Sequence, residues 1–158
     1  MEQEIVVDTG ILLDILLRSR PRHKFAKRIG AYLVDRGIRI KVPMHALFEI
    51  KSAMLEEQWD AGIKGESIPL NEDISEQTPL NYHPVAIDEA FFRRYFHADI
   101  TGLRAGDYPF VALAKGDGLA LVTDELPQYA AAKAAGVRVY TGEEYRELCL
   151  NAPDDSPI

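Results

Sequence analysis

Cysteine is almost absent: Cys149 is the only one in 158 residues. That excludes an internal disulfide and suits a reducing cytoplasm. No apolar run is long enough to span a bilayer. The opening Met-Glu-Gln-Glu is acidic where a secretory leader is basic. The expectation is a cytoplasmic protein without a membrane partner. A positive balance is also lacking, with a formal charge of −7. This argues against a protein that coats nucleic acid non-specifically. It does not argue against a nuclease, whose acidic site lowers the total while a local basic patch binds phosphate. The histidines, His23, His45, His83 and His97, show no paired ligand spacing, so nothing marks a zinc site. Repeats and low-complexity runs are missing. What is there is ordinary, 47% hydrophobic and 27% charged, and long enough for one domain with a sizeable core.

Hydrophobic periodicity divides the chain into alternating strands and helices. Ile5-Val6-Val7 is a short β-branched run that ends at Asp8, and Ile11 to Leu17 follows at helical spacing. A basic turn runs from Arg18 to Lys24. Phe25, Ile29, Tyr32 and Leu33 mark a second helix that stops at Gly37. Residues 38–42 alternate as a strand, and Pro43 can open the next helix, which carries Leu47, Ile50 and Met54 on one face and Glu49 beside them. From 56 to 82 the pattern dissolves into an acidic segment punctuated by Gly and Pro. It reads as an insertion or arm, longer than the usual connection.

Order returns at Val85-Ala-Ile87, and Asp88 can cap a helix with an aromatic stripe from Phe91 to Phe96. A helix starts around Asp107, with Pro109 in its first turn. Leu119-Ala-Leu-Val122 is a buried-type strand leading into Thr123, Asp124 and Glu125. An alanine-rich helix, a strand at 137–140 and a capping box of Thr141 with Glu144 complete the order. The fold class is α/β with a central, mostly parallel sheet flanked by helices. Residues 1–150 form a single domain and 151–158 a tail.

The acids fall in a pattern. Two strands end alike, at Asp8 and at Asp124-Glu125, and a parallel sheet brings both ends to one edge. Helix N-termini reach the same edge, which places Glu49 and Asp107 nearby. Carboxylates gathered at close range cannot all stay charged unaided, and a divalent cation resolves the conflict. An all-oxygen set favours Mg²⁺ or Mn²⁺. Such ions lower the pKa of a bound water and neutralise a phosphate, the chemistry of phosphodiester hydrolysis. Thr9 and Thr123 stand beside the acids and can orient them by hydrogen bonds.

With these residues in view, the chain resembles PIN-domain ribonucleases, and among them the VapC-type toxins of toxin–antitoxin pairs. The resemblance covers nearly the whole length. It rests on Val6-Val7-Asp8-Thr9 before a Leu-rich helix, on Glu49 after Pro43, on Gly106-Asp107 before Phe110-Val-Ala-Leu-Ala114, and on Leu121-Val-Thr123 with an acid beyond. It implies a PIN-like three-layer fold and a metal-dependent endoribonuclease. Asp8, Glu49, Asp107 and Asp124 would carry catalysis and, with Glu125, hold Mg²⁺ or Mn²⁺. The fourth acid is Asp124 or Glu125, with Asp124 favoured. It also implies an RNA substrate, an antitoxin protein and a homodimer. The alternative is a degenerate PIN-like scaffold that binds RNA or protein without cleaving.

Each residue also has a plainer reading. Asp8 and Asp107 are good helix caps, and Glu49 is an ordinary helix side chain. Asp14 reads as solvent-facing and Asp117 as a turn residue. Arg18, Arg20, Arg22, Lys24, Lys27 and Arg28 are either an RNA-phosphate contact or a solvated face. The stripe Phe91 to Phe96 reads as core or dimer packing, and Cys149 as a small buried hydrophobe. Asp8-Thr9-Gly10 spells the aspartic-protease triplet, but such a site needs two copies in a β-rich setting. A phosphatase nucleophile at Asp8 would want a second acid where Gly10 stands.

Overall fold

The computed structural model describes residues 3–63 and 80–152, apart from the side chains of residues 58, 59 and 61–63. At its centre is strand β1 (Glu4–Val7), in which Ile5, Val6 and Val7 are fully buried. Burial on both faces is what a central strand of a parallel sheet requires. The other strands are β2 (Arg39–Pro43), β3 (Asn81–Val85), β4 (Leu121–Val122) and β5 (Val139–Tyr140). All pair in parallel, in the order β3-β2-β1-β4-β5. The chain thus builds outward from β1 through β2 to β3, then returns to lay β4 on the other side of β1. The direction of winding reverses between β1 and β4. The crevice beyond the carboxyl ends of two such strands is where open α/β sheets bind ligands.

The described residues contribute helices α1 (Thr9–Leu16), α2 (His23–Asp35), α3 (Met44–Ile63), α4 (Glu89–Tyr95), α5 (Tyr108–Asp117), α6 (Leu126–Ala134) and α7 (Gly142–Asn151). Helix α2 packs on α1 and α7, and α3 on α1, while α5 packs on α4 and α6 and lies against β1, β2 and β4. Every residue of α5 from Pro109 to Ala114 is buried, so this helix is apolar on all sides because it is a core element. Asp88 caps α4 by accepting from the Phe91 amide at 2.9 Å. Thr141 and Glu144 form the expected capping box at α7. Among the described residues no helix is long and apolar enough to cross a membrane.

Several expectations are corrected. The segment 56–82 is helical as far as Ile63 and enters β3 at Asn81, while residues 64–79 and the tail from 153 lie outside the described residues. Order returns earlier than expected: β3 spans Asn81–Val85, and Ala86 and Ile87 are exposed. β3 is an edge strand that carries Pro84 and exposes most of its side chains. An edge needs only half a hydrogen-bond ladder, so it tolerates Pro and lacks the apolar signal of a core strand. Asp14 does not face solvent. It is buried, accepts from Arg20 Nε at 2.9 Å, and its carbonyl meets His23 Nδ1 at 3.0 Å. Asp117 is the last residue of α5 and a junction. Lys41 of β2 reaches it at 2.6 Å, Arg94 at 3.2 Å and the Tyr95 hydroxyl at 3.1 Å. The aromatic stripe divides: Phe91 and Tyr95 enter the core, whereas Phe92 and Phe96 are exposed.

The close approach of α1 and α2 depends on Gly30. A Cβ there would lie 2.8 Å from Ile15 Cγ2, a methyl fixed on a β-branched carbon. Gly30→Ala gains helix propensity but overpacks this contact, and should lower stability by about 1–2 kcal/mol. Urea denaturation measures it. In the Ile15→Ala background the same substitution should cost less, and equal costs in both backgrounds would contradict the contact.

Candidate metal-binding cleft

The backbone carries Asp8 directly out of β1 to the start of α1. Its amide donates to the Val122 carbonyl at 3.0 Å, which continues the pairing of β1 with β4. Its side chain has two partners. Oδ1 accepts from the Ile11 amide at 2.9 Å, and Oδ2 accepts from the Thr123 hydroxyl. Asp8 is therefore the N-cap of α1 as well as an acid at a strand end. Only 2% of it is exposed. Burial pushes its pKa up to about 6, against the pull of the two hydrogen bonds, and the charges of Asp124 and Glu125 push the same way.

Asp8, Thr9, Gly10, Glu49, Gly106, Asp107, Phe110, Glu125 and Gln128 line one cleft of about 150 Å³. Glu49 is supplied by α3, and its Oε2 accepts from the Thr9 hydroxyl at the start of α1. Asp107 stands at the N-cap position of α5 but makes no capping hydrogen bond with its side chain. Its Oδ1 accepts instead from Gln128 Nε2 of α6 at 3.1 Å. Glu125 occupies the N-cap position of α6, again without a side-chain cap. It also borders an adjoining hollow of about 310 Å³ with Gly102, Arg104, Asp107 and Pro127. Thr123, fully buried, donates to Asp8 and accepts from the Glu125 amide at 3.0 Å, so one hydroxyl sets the spacing of two acids.

Asp124, the favoured fourth acid, goes elsewhere, and the expectation that it joins the cluster is corrected. Its Oδ2 is taken by Arg22, and its Oδ1 accepts from the Gly142 amide at the start of α7 at 2.9 Å. It ties the basic turn and α7 to the sheet and does not line the cleft, where Glu125 takes the place. The physical reason lies in the partners: Arg22 and the Gly142 amide hold both oxygens of Asp124, while the Glu125 amide is tied to the Thr123 hydroxyl beside Asp8. Arg20 and Arg22 of the basic group are accordingly held by Asp14 and Asp124. Arg18, Lys24, Lys27 and Arg28 are exposed. Burial pushes the Cys149 thiol up to about 12, so it stays protonated.

Two side chains at the site carried no sequence signal. Gln128 lies in an alanine-rich helix, and nothing marks it as buried. His45 Nε2 donates to the Gly106 carbonyl at 2.8 Å, its ring edge-on to Phe110, and so fastens α3 to the turn before Asp107. A carbonyl only accepts, which places the proton on Nε2.

The four cleft carboxylates form an all-oxygen donor set that suits a hard divalent cation in kind and in location. Among the described residues, no three Asp, Glu, His or Cys side chains close on a common point as they are oriented. Asp8, Glu49 and Asp107 each lean on a neighbouring donor. Glu49 and Glu125 are exposed, and their rotation is what a bound ion would require.

The raised pKa of Asp8 has a consequence for stability. Between the ordinary carboxyl value of 3.8 and about 6 the folded chain keeps a proton that the unfolded chain has released. The favourable contribution is full below that window and is lost as pH rises through about 6, a change on the order of 3 kcal/mol. Without divalent cation, Asp8→Asn should be the more stable protein at pH 7.5. Its advantage over the wild type should shrink as pH falls through 6, as read from paired urea titrations. A pH-independent difference would contradict the buried, proton-binding carboxyl.

No family model matches the chain, and no curated protein does. Thirteen chains of solved structures match it in fold. One is a PilT N-terminus domain protein from the hyperthermophilic archaeon Sulfolobus solfataricus P2. It superposes with a TM-score of 0.53 at 10% sequence identity, over 98% of this chain and 99% of that one. At that identity the likeness concerns architecture alone. The five-stranded parallel sheet with helices on both sides is the fold of a PilT N-terminus, or PIN, domain.

Proposed function

We propose that this protein is a metal-dependent endoribonuclease that hydrolyses RNA phosphodiester bonds, and that it serves as the toxin of a toxin–antitoxin pair. The observation that carries the nuclease reading is the cleft itself. Asp8, Glu49, Asp107 and Glu125 come from four separate segments and line one cleft. The toxin role rests on the order of sequence motifs shared with VapC-type proteins. An antitoxin and a second copy of the chain are the partners it implies.

Asp8, Glu49, Asp107 and Glu125 are the residues that would hold Mg²⁺ or Mn²⁺. When bound, such an ion supplies Lewis acidity and neutralises charge on a phosphate. The chain's own groups do the positioning. Thr123 fixes Asp8 Oδ2, while the Ile11 amide fixes Oδ1. Thr9 steadies Glu49, and Gln128 steadies Asp107. Arg104, in the adjoining hollow, offers a guanidinium to a neighbouring phosphate of the strand.

A second reading, a PIN-like scaffold that binds RNA or protein without cleaving it, is favoured by the lack of three converging ligands among the described residues. Single-stranded RNA incubated with Mn²⁺ or Mg²⁺ decides between them. Cleavage should cease with chelator. It should fall at least 100-fold in Asp8→Asn, Asp107→Asn and Glu125→Gln, a range set by the several kcal/mol such groups contribute. Asp124→Asn, whose side chain serves α7 and Arg22, should lose stability and keep most of its activity per folded molecule. Cleavage that survives both chelator and Asp8→Asn would sink the mechanism. Absence of cleavage, with RNA still bound, would select the scaffold. Growth arrest on expression, relieved by a co-expressed antitoxin, tests the toxin role.

A further inference from the structure

Gln128 is only 2% exposed, on a helix whose other buried positions are Ala131 and Ala132. Its amide is oriented by chemistry, because the Asp107 carboxylate accepts and therefore faces Nε2, at 3.1 Å. The other end of the amide, Oε1, is buried and has no hydrogen-bond partner among the described residues. A buried acceptor left unpaired carries a desolvation cost that nothing offsets. Methionine or leucine would fill the same space without that cost. Gln128 also lines the cleft shared by Asp8, Glu49, Asp107 and Glu125. The feature is thus a buried amide that spends its donor on a cleft acid and keeps its acceptor unused.

We propose that Gln128 is a positioning residue for cation binding: its N–H fixes the Asp107 carboxylate toward the cleft, so that the readiness of this acid for a divalent cation depends on a buried amide. This rests on the metal-dependent reading above. An outer partner of this kind orients a ligand, and its loss typically weakens metal binding by about 10–100-fold.

Mn²⁺ titration by calorimetry tests this, with thermal melts of the same samples without metal. Gln128→Met, close in shape, is the first variant, and Gln128→Leu is the second should the first fold poorly. The expected result is Mn²⁺ affinity lowered about tenfold or more, with a metal-free melting temperature equal to or above that of the wild type. Mn²⁺ should also raise the melting temperature of the variant less than that of the wild type. A purely structural glutamine would give the opposite pattern, a lower metal-free melting temperature with unchanged affinity, and would overturn the inference. Wild-type protein that binds no Mn²⁺ overturns the metal reading and this inference together. Wild-type binding matched by equal binding in a folded Gln128 variant overturns this inference alone.

Discussion

The hydrogen bond from Thr123 to Asp8 joins the two halves of the molecule. Asp8 ends β1 and Thr123 follows β4, and these neighbouring strands come from parts of the chain more than a hundred residues apart. The bond forms where the sheet reverses its winding, so it depends on the strand order and in turn fixes the floor of the cleft. A carboxylate so buried is costly to ionise. Asp8 meets that cost partly through two hydrogen bonds and partly by holding a proton to an unusually high pH.

The remaining acids follow from that arrangement. Asp14, Asp117 and Asp124 are partly or wholly buried and face Arg20, Lys41 with Arg94, and Arg22 respectively. For Asp14 and Asp117, breaking the pair would leave a largely buried charge uncompensated. The cleft acids are treated differently. Asp8 meets a hydroxyl and a backbone amide, Glu49 a hydroxyl, and Asp107 a side-chain amide. These partners orient a carboxylate without neutralising it. The contrast is between acids that face a cation of the chain and acids that face neutral donors.

Much of this was legible in the chain. Ile5-Val6-Val7 announced a doubly buried strand, and the Asp8 that ends it was correctly read as a helix cap. Asp88, Thr141 and Glu144 cap as their positions suggest. Other elements were not legible. β3 is a polar edge strand with a proline, so hydrophobic pattern cannot reveal it. Asp14 looked solvent-facing because its partner Arg20 lies beyond the end of its helix, in a turn whose direction no local pattern gives. Gln128 and His45 matter only through neighbours that tertiary structure supplies.

The sequence by itself determined which segments are strands and helices over most of the chain, and that acids stand at their junctions. These properties depend on periodicities of two and 3.6 residues and on local capping. Tertiary structure decided which acids meet. At 123–125 the chain offers a hydroxyl and two acids in a row, and local chemistry does not rank the acids. Arg22 and the amide of Gly142 hold Asp124, while Thr123 reaches Asp8 and Glu125 lines the cleft. Asp8, at the end of a central strand, is thus joined by Glu125 because of charges and amides placed far along the chain.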